Sequence, residues 1–295
     1  MSRSAPAGDS RAFLSTAVDG SNHQSQLKMP RSVSRVLYAS LCGLLLIATS
    51  GCSFYKNSLS SDRLDKGLTI ILPGIEGKNM TNGNIARGLE WGGVKTAIGI
   101  HDWTTGIPPL LLVHLRDSKR HLEQATLIAS EIVVYQERYP GRPVYLVGHS
   151  GGGGIALMTL EQLPVDHSIT AVLLLAPGVS PEYPIDSVLA KTERGIWNYY
   201  SPLDVPALVV GTTVAGTMDG KQSPSAGAVG FKHQEPDPAF TGPRLTQVVY
   251  SPRMLMQGNA GGHLGWTIPS FVSRTLAPVI NGHSDDDARV SLSAR

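Results

Sequence analysis

The sequence predicts an α/β domain, a mostly parallel β-sheet covered by helices on both faces. Short apolar runs of strand length recur along the chain and alternate with helical patterns. The runs are apolar throughout rather than apolar at every second residue, as expected of strands buried on both sides. One of them, Val144–Val147, stops at a cluster of glycines from which an apolar helical pattern starts at once.

Gly67–Gly74 (GLTIILPG) is the first buried-strand run, closed by Pro and Gly. A short helix is expected over Asn82–Trp91, and a strand over Val94–Ile100 that leads into His101-Asp102-Trp103. From Ser118 to Tyr139, Leu122, Ala125, Ile128, Ala129, Ile132 and Val133 fall at helical spacing, and Pro140-Gly141 ends the pattern. The run Val144–Val147 and its helix follow. Later strands are expected at Ala171–Ala176, Ile196–Ser201 and Gln247–Tyr250. An Asp after a strand commonly caps the next helix, which is the reading favoured for Asp102.

Between the central strand and its helix lies Gly148-His149-Ser150-Gly151-Gly152, a G-x-S-x-G pattern in a strand-turn-helix context. So tight a turn requires residues with almost no side chain two before and two after the serine. It holds Ser150 in a strained backbone position, with the Gly151 N–H and a helix N-terminus facing any oxyanion that forms. In the Pro73-Gly74-Ile75-Glu76-Gly77 loop, the Ile75 N–H is the candidate second oxyanion donor, with Gly74 next. A serine hydroxyl is a poor nucleophile at neutral pH and needs a base, itself oriented by an acid. Asp204 follows the Ile196–Ser201 run. His263 follows the last strand within Gly261-Gly262-His263-Leu264-Gly265-Trp266. Rivals for the base are His149, His233 and His283, and Asp219 is the alternative acid.

In this order of parts the chain resembles the α/β-hydrolase family over about residues 67–280. Ser150, Asp204 and His263 fall on its Ser, Asp, His chain order. The segments GHSGG, YYSPLD and GGHLGW look most like lipase- and esterase-like members. The resemblance implies a serine hydrolase of carboxylic esters acting through an acyl-enzyme. The stretch between Cys52 and Gly67 is too short for a tether plus the usual first hairpin, so the sheet is expected to be minimal, with about six strands. The 180–195 connection is too short for a separate cap domain. Residues 205–245 form a long connection, rich in Gly and Pro beyond residue 220, which could line a substrate pocket with Met218 or Phe231.

The chain has 295 residues, 41% hydrophobic and 16% charged, enough for one sizeable core. Its net charge of +2 is unevenly spread: residues 1–51 hold five basic and two acidic residues, leaving 20 basic and 21 acidic elsewhere. Neither a basic face for nucleic acid nor a ligand cluster with metal spacing is visible, and no cofactor is expected. Residues 1–28 are polar and without hydrophobic period, and read as disordered or untranslated, with Met29 an alternative start to Met1. Residues 29–51 form a signal-peptide pattern, with Arg31 and Arg35 before an apolar core. Its end, Thr49-Ser50-Gly51-Cys52, resembles a bacterial lipobox with Thr in place of the usual Leu. That implies lipidation at Cys52, a polar tether over 52–66, and an exported lipoprotein at the periplasmic or outer face of a bacterial membrane. Residues 281–295 read as a disordered tail. The expected partners are a small-molecule or lipid ester and, through the lipid anchor, a membrane. A thioesterase or acyltransferase would share the triad. The rival class is a catalytically idle binding lipoprotein on the same scaffold.

Overall fold

The computed structural model describes residues 58–107, 110–204, 212–233 and 241–282. The expected signal segment, Cys52, and residues 283–295 of the expected tail lie outside them.

Six parallel strands form one sheet in the order β2-β1-β3-β4-β5-β6. They are β1 (Leu68–Leu72), β2 (Ala97–Ile100), β3 (Val144–His149), β4 (Ile169–Leu175), β5 (Thr192–Tyr200) and β6 (Arg244–Val249). The main helices connecting them are α1 (Met80–Trp91), α2 (Leu111–Arg116), α3 (Ser118–Arg138), α4 (Gly151–Gln162) and α5 (Ile185–Leu189). Two short helices, α6 (Thr212–Ala215) and α7 (Ala226–Val229), lie between β5 and β6. This is the α/β-hydrolase fold in a minimal form, without a separate cap domain between β4 and β5.

The sheet's period of two sorts its side chains into two cores. Ile70, Leu72, Leu146, Val172, Leu174 and Ile196 meet Ile128, Ile132, Ile155, Leu160 and Val188 from α3, α4 and α5. Their neighbours Ile71, Val147, Leu173, Leu175, Trp197 and Tyr199 face the other way, onto Ile85 and Leu89 of α1 and the C-terminal segment from Trp266 to Ile280. The inner strands β1, β3 and β4 are therefore covered on both sides, which is why their sequences are largely apolar without alternation, whereas the edge strand β6 is partly exposed.

Helix α1 starts two residues earlier than the apolar pattern indicates. Asn79 caps it, its side chain accepting from Thr81 N at 2.7 Å while Asn82 Oδ1 accepts from Asn79 N at 2.8 Å. The short helices α2 and α5 carry too few turns for a periodic signal and were not expected. Part of the stretch read as a tether is packed on the domain. Ser58 makes an antiparallel bridge to Ile98 at the β2 edge, and Arg63 donates to the carbonyls of Thr96 and Val94, each at 3.0 Å. The ordered domain thus includes Ser58–Lys66.

Met218 and Phe231, proposed from sequence as pocket-lining residues, are instead buried in the core on the α4 side. The chain around them runs along the segment after β4. Met218 N donates to Gly178 O at 2.9 Å, Ala226 N to Val179 O at 2.7 Å, and Lys232 N to Pro181 O at 2.8 Å. The connection there is a packed layer in which Met218, Ala226, Ala228 and Phe231 are buried and Val229 is exposed.

Candidate active site

Ser150 sits between β3 and α4 with φ 54° and ψ −121°, a left-handed conformation that a residue with a side chain adopts at a cost of about 1–3 kcal/mol. The neighbouring chain holds it there. Ser150 N donates to Leu175 O at 2.9 Å, and its carbonyl accepts from Gly153 N at 3.0 Å and Gly178 N at 2.9 Å. The glycines around it are required by close approach. A Cβ on Gly148 would lie 2.7 Å from Gly153 Cα. A Cβ on Gly152 would fall on the carbonyl oxygens of Leu72 and Pro73. The glycine run lets the first turn of α4 nest between the ends of β1 and β4, which leaves Ser150 at the C-terminal edge of the sheet.

Asp204 and His263 meet at the same edge. The His263 Nδ1–H donates to Asp204 Oδ2 at 2.7 Å, and Asp204 is buried. Burial by itself would lower the His263 pKa, but the charge and hydrogen bond of Asp204, with the charge of Glu76, outweigh it. The net effect raises the imidazole above its usual value. The loop holding His263 turns through Gly261 and Gly262, at φ 81° and 68°. Asn259 Oδ1 accepts from Gly261 N at 2.8 Å and fixes that turn. Beneath it, Trp266 packs on Phe271 and Tyr199, with ring centroids 5.5 and 6.0 Å apart.

The 73–77 loop lies against the elbow. A Cβ on Gly151 would lie 2.8 Å from Ile75 Cγ2 and 3.4 Å from Ile75 N, so the two backbone amides are neighbours. Among the described residues neither N–H has an acceptor. The loop is braced from behind. Trp103 Nε1–H donates to Pro73 O at 2.7 Å, and the His114 Nδ1–H donates to Ile75 O at 2.8 Å. With that tautomer, His114 Nε2 accepts from Thr105 Oγ1 at 2.6 Å and Thr105 N at 3.2 Å. Asp102 accepts from Lys78 N at 2.9 Å and from Thr104 N at 3.0 Å, so it caps this loop and its own turn rather than a following helix.

The rival residues have other partners. Asp219 accepts from Ser180 N at 2.8 Å and Ser180 Oγ at 2.5 Å, which ties the connection after β5 to the segment after β4. His233 lies 3.0 Å from Asp186. His283 lies outside the described residues. His149 is fully buried, with its ring centroid 4.9 Å from that of His263, and its Nε2–H donates to the His263 carbonyl at 3.1 Å. Glu76, buried behind it, carried no signal in the sequence beyond its place in the loop.

No cluster of potential metal ligands occurs among the described residues, and none of their helices is long and apolar enough to cross a membrane. No protein-family model and no curated protein sequence matches the chain. Among solved structures it is similar to a hydrolase of Thermoplasma acidophilum described as CIB-like, at 16% identity and a TM-score of 0.38 over 75% of this chain and 88% of that one. It is also similar to a Trichoderma reesei cutinase solved with a phosphonate inhibitor, at 12% identity and TM-score 0.34 over 86% and 91% of the two chains. A cell-surface hydrolase from Lactobacillus plantarum aligns at 11% identity and TM-score 0.39 over 78% and 98%.

Proposed function

We propose that the protein is a serine hydrolase of carboxylic esters in which Ser150 is the nucleophile, His263 the general base and Asp204 the residue that orients it. The observation that carries this reading is the 2.7 Å Asp204–His263 hydrogen bond at the sheet edge where the strained Ser150 elbow ends β3. In the reaction, His263 Nε2 takes the Ser150 proton as Oγ attacks the ester carbonyl carbon. The Ile75 and Gly151 N–H groups stabilise the oxyanion. The tetrahedral intermediate collapses as the imidazolium returns its proton to the departing alcohol. Water, deprotonated by His263, then attacks the acyl-enzyme carbonyl carbon, and the acid leaves as the imidazolium returns that proton to Ser150 Oγ. Asp204 orients and stabilises the imidazolium at each step.

An apolar substrate is favoured by the surroundings. Ile107, Leu112, Val113, Leu203, Leu255 and Met256 are exposed, and all lie in connections that leave the C-terminal ends of β2, β5 and β6. Such residues suit acyl chains or a lipid surface. An anchor on Cys52 would hold the enzyme at a membrane carrying such esters.

A fluorophosphonate probe tests the reading on protein beginning at Ser53. Labelling that is lost in Ser150→Ala and His263→Ala and is strongly reduced in Asp204→Asn supports it. A folded wild type that takes no label excludes it and favours a binding role for the scaffold.

A further inference from the structure

We propose that Glu76 and His149 form a buried positioning pair that grips the backbone of His263 against the elbow and gives its imidazole a second flanking negative charge. This rests on the assignment of His263 as the base.

His149 is the residue before the elbow serine, and its direction is set by β3. The alternation that sends Ser150 to the open edge turns the His149 ring into the protein, where it is fully buried. There its Nε2–H donates to the main-chain carbonyl of His263 at 3.1 Å, and its Nδ1 faces Glu76 Oε1 at 3.8 Å. That separation is longer than a hydrogen bond. Glu76 Oε2 and His149 Nδ1 are buried without a hydrogen-bond partner. A buried carboxylate of this kind is costly unless a cationic group compensates it. The titratable groups that face it are the two imidazoles, His149 and His263. Those facing His263 are Asp204, Glu76 and His149. Burial would raise the Glu76 pKa, but His149, its own backbone amide and the charge of His263 together bring it below the ordinary carboxylate value.

The arrangement has a use in the reaction cycle. When Ser150 gives up its proton, His263 becomes cationic between Asp204, which holds Nδ1, and Glu76, which contributes charge from the loop carrying Ile75. His149 meanwhile ties the loop at 261–263 to the strand that leads into Ser150. Residues that hold a catalytic group within its productive geometry affect rate steeply, because small displacements are costly.

The test reads His263 directly. Wild type, Glu76→Gln and Glu76→Asp, with labelled histidine, are titrated by NMR, and kcat/KM for a p-nitrophenyl ester is followed with pH. In Glu76→Gln the His263 resonance and the acid limb of kcat/KM are expected to move together to lower pH, because neutral imidazole is then easier to reach. The plateau is expected to fall about tenfold through kcat, with KM little changed, and Glu76→Asp is expected to restore the titration. In wild type itself, the labelled Glu76 carboxyl is expected to show a second inflection where His263 titrates, so the result does not depend on a variant folding. A His263 titration unchanged in Glu76→Gln, or a Glu76 signal without that inflection, overturns the pair. Failure of wild type to take a fluorophosphonate removes the esterase reading while leaving the titration result to stand.

Discussion

His149 Nε2 lies 3.1 Å from the carbonyl oxygen of His263, so the residue beside the elbow serine holds the backbone of the residue that bonds Asp204. Three chain segments far apart in sequence are thereby locked together at the sheet edge, and the expected behaviour of the site follows from that coupling.

Removal of the acid is expected to be the informative lesion in the Ser150, Asp204, His263 set. Asp204→Asn keeps the shape but no longer favours the Nδ1–H tautomer, and kcat is expected to fall about 10⁴-fold. A loss of less than about tenfold in single-turnover acylation would show that Asp204 is not the orienting acid.

As the proposed base, His263 would act only when neutral, and its pKa is raised because Asp204 and Glu76 outweigh the opposing effect of burial. The acid limb of kcat/KM is therefore expected above the ordinary imidazole value of 6.5. A limb below that value in the wild type would contradict the geometry.

His114 braces the loop that carries Ile75, the proposed oxyanion donor. Its Nδ1–H holds Ile75 O at 2.8 Å, and the ring packs edge-on against Trp103. His114→Phe keeps the bulk and loses the bonds. It is expected to lower kcat about tenfold with KM nearly constant, and to lower stability by about 1–3 kcal/mol. Equal changes in kcat and KM would argue that the loop is not the oxyanion loop.

Gly152→Ala tests the elbow itself. The added methyl would meet backbone oxygens of Leu72 and Pro73, which cannot move without displacing β1. A stability loss of about 1–3 kcal/mol or more is expected in thermal melts, with little probe labelling in the variant that remains folded. A fully labelled, equally stable Gly152→Ala protein would mean that the turn is looser than described.

His101 gives a stability signature away from the site. Burial lowers its pKa, but hydrogen bonds to Glu131 and Gln124 and the charges of Glu131 and Asp102 raise it overall. Its contribution is therefore complete below the unfolded value of 6.5 and is lost as pH rises through the higher folded value. The Tm difference between wild type and His101→Gln is expected to shrink between acidic and alkaline pH. A difference that stays constant would place the interaction elsewhere.

The order of the strands along the chain and the turn at Gly148–Gly152 were legible in the sequence, and the structure brings two of its candidate residues, Asp204 and His263, into hydrogen-bond contact. They depend on local chemistry: glycines where no Cβ fits, apolar runs where both faces are buried, and an acid and a histidine just beyond strand ends. The brief helices α2 and α5 were not legible, because one or two turns carry no period. The inward fate of Met218 and Phe231 was hidden for a different reason. Their sequence neighbourhood reads as a loop, and only the pairing of that loop with residues 178–181 decides which way they face. Glu76 and His149 were likewise invisible as a pair. Their contact joins the loop after β1 to the end of β3, and such proximity exists only once the strands stand side by side in the sheet. The sequence by itself thus determined the groups available for chemistry, since those follow from residue type and turn geometry. Tertiary structure alone decided their electrostatic setting, because burial and distance between remote segments are properties of the packed sheet.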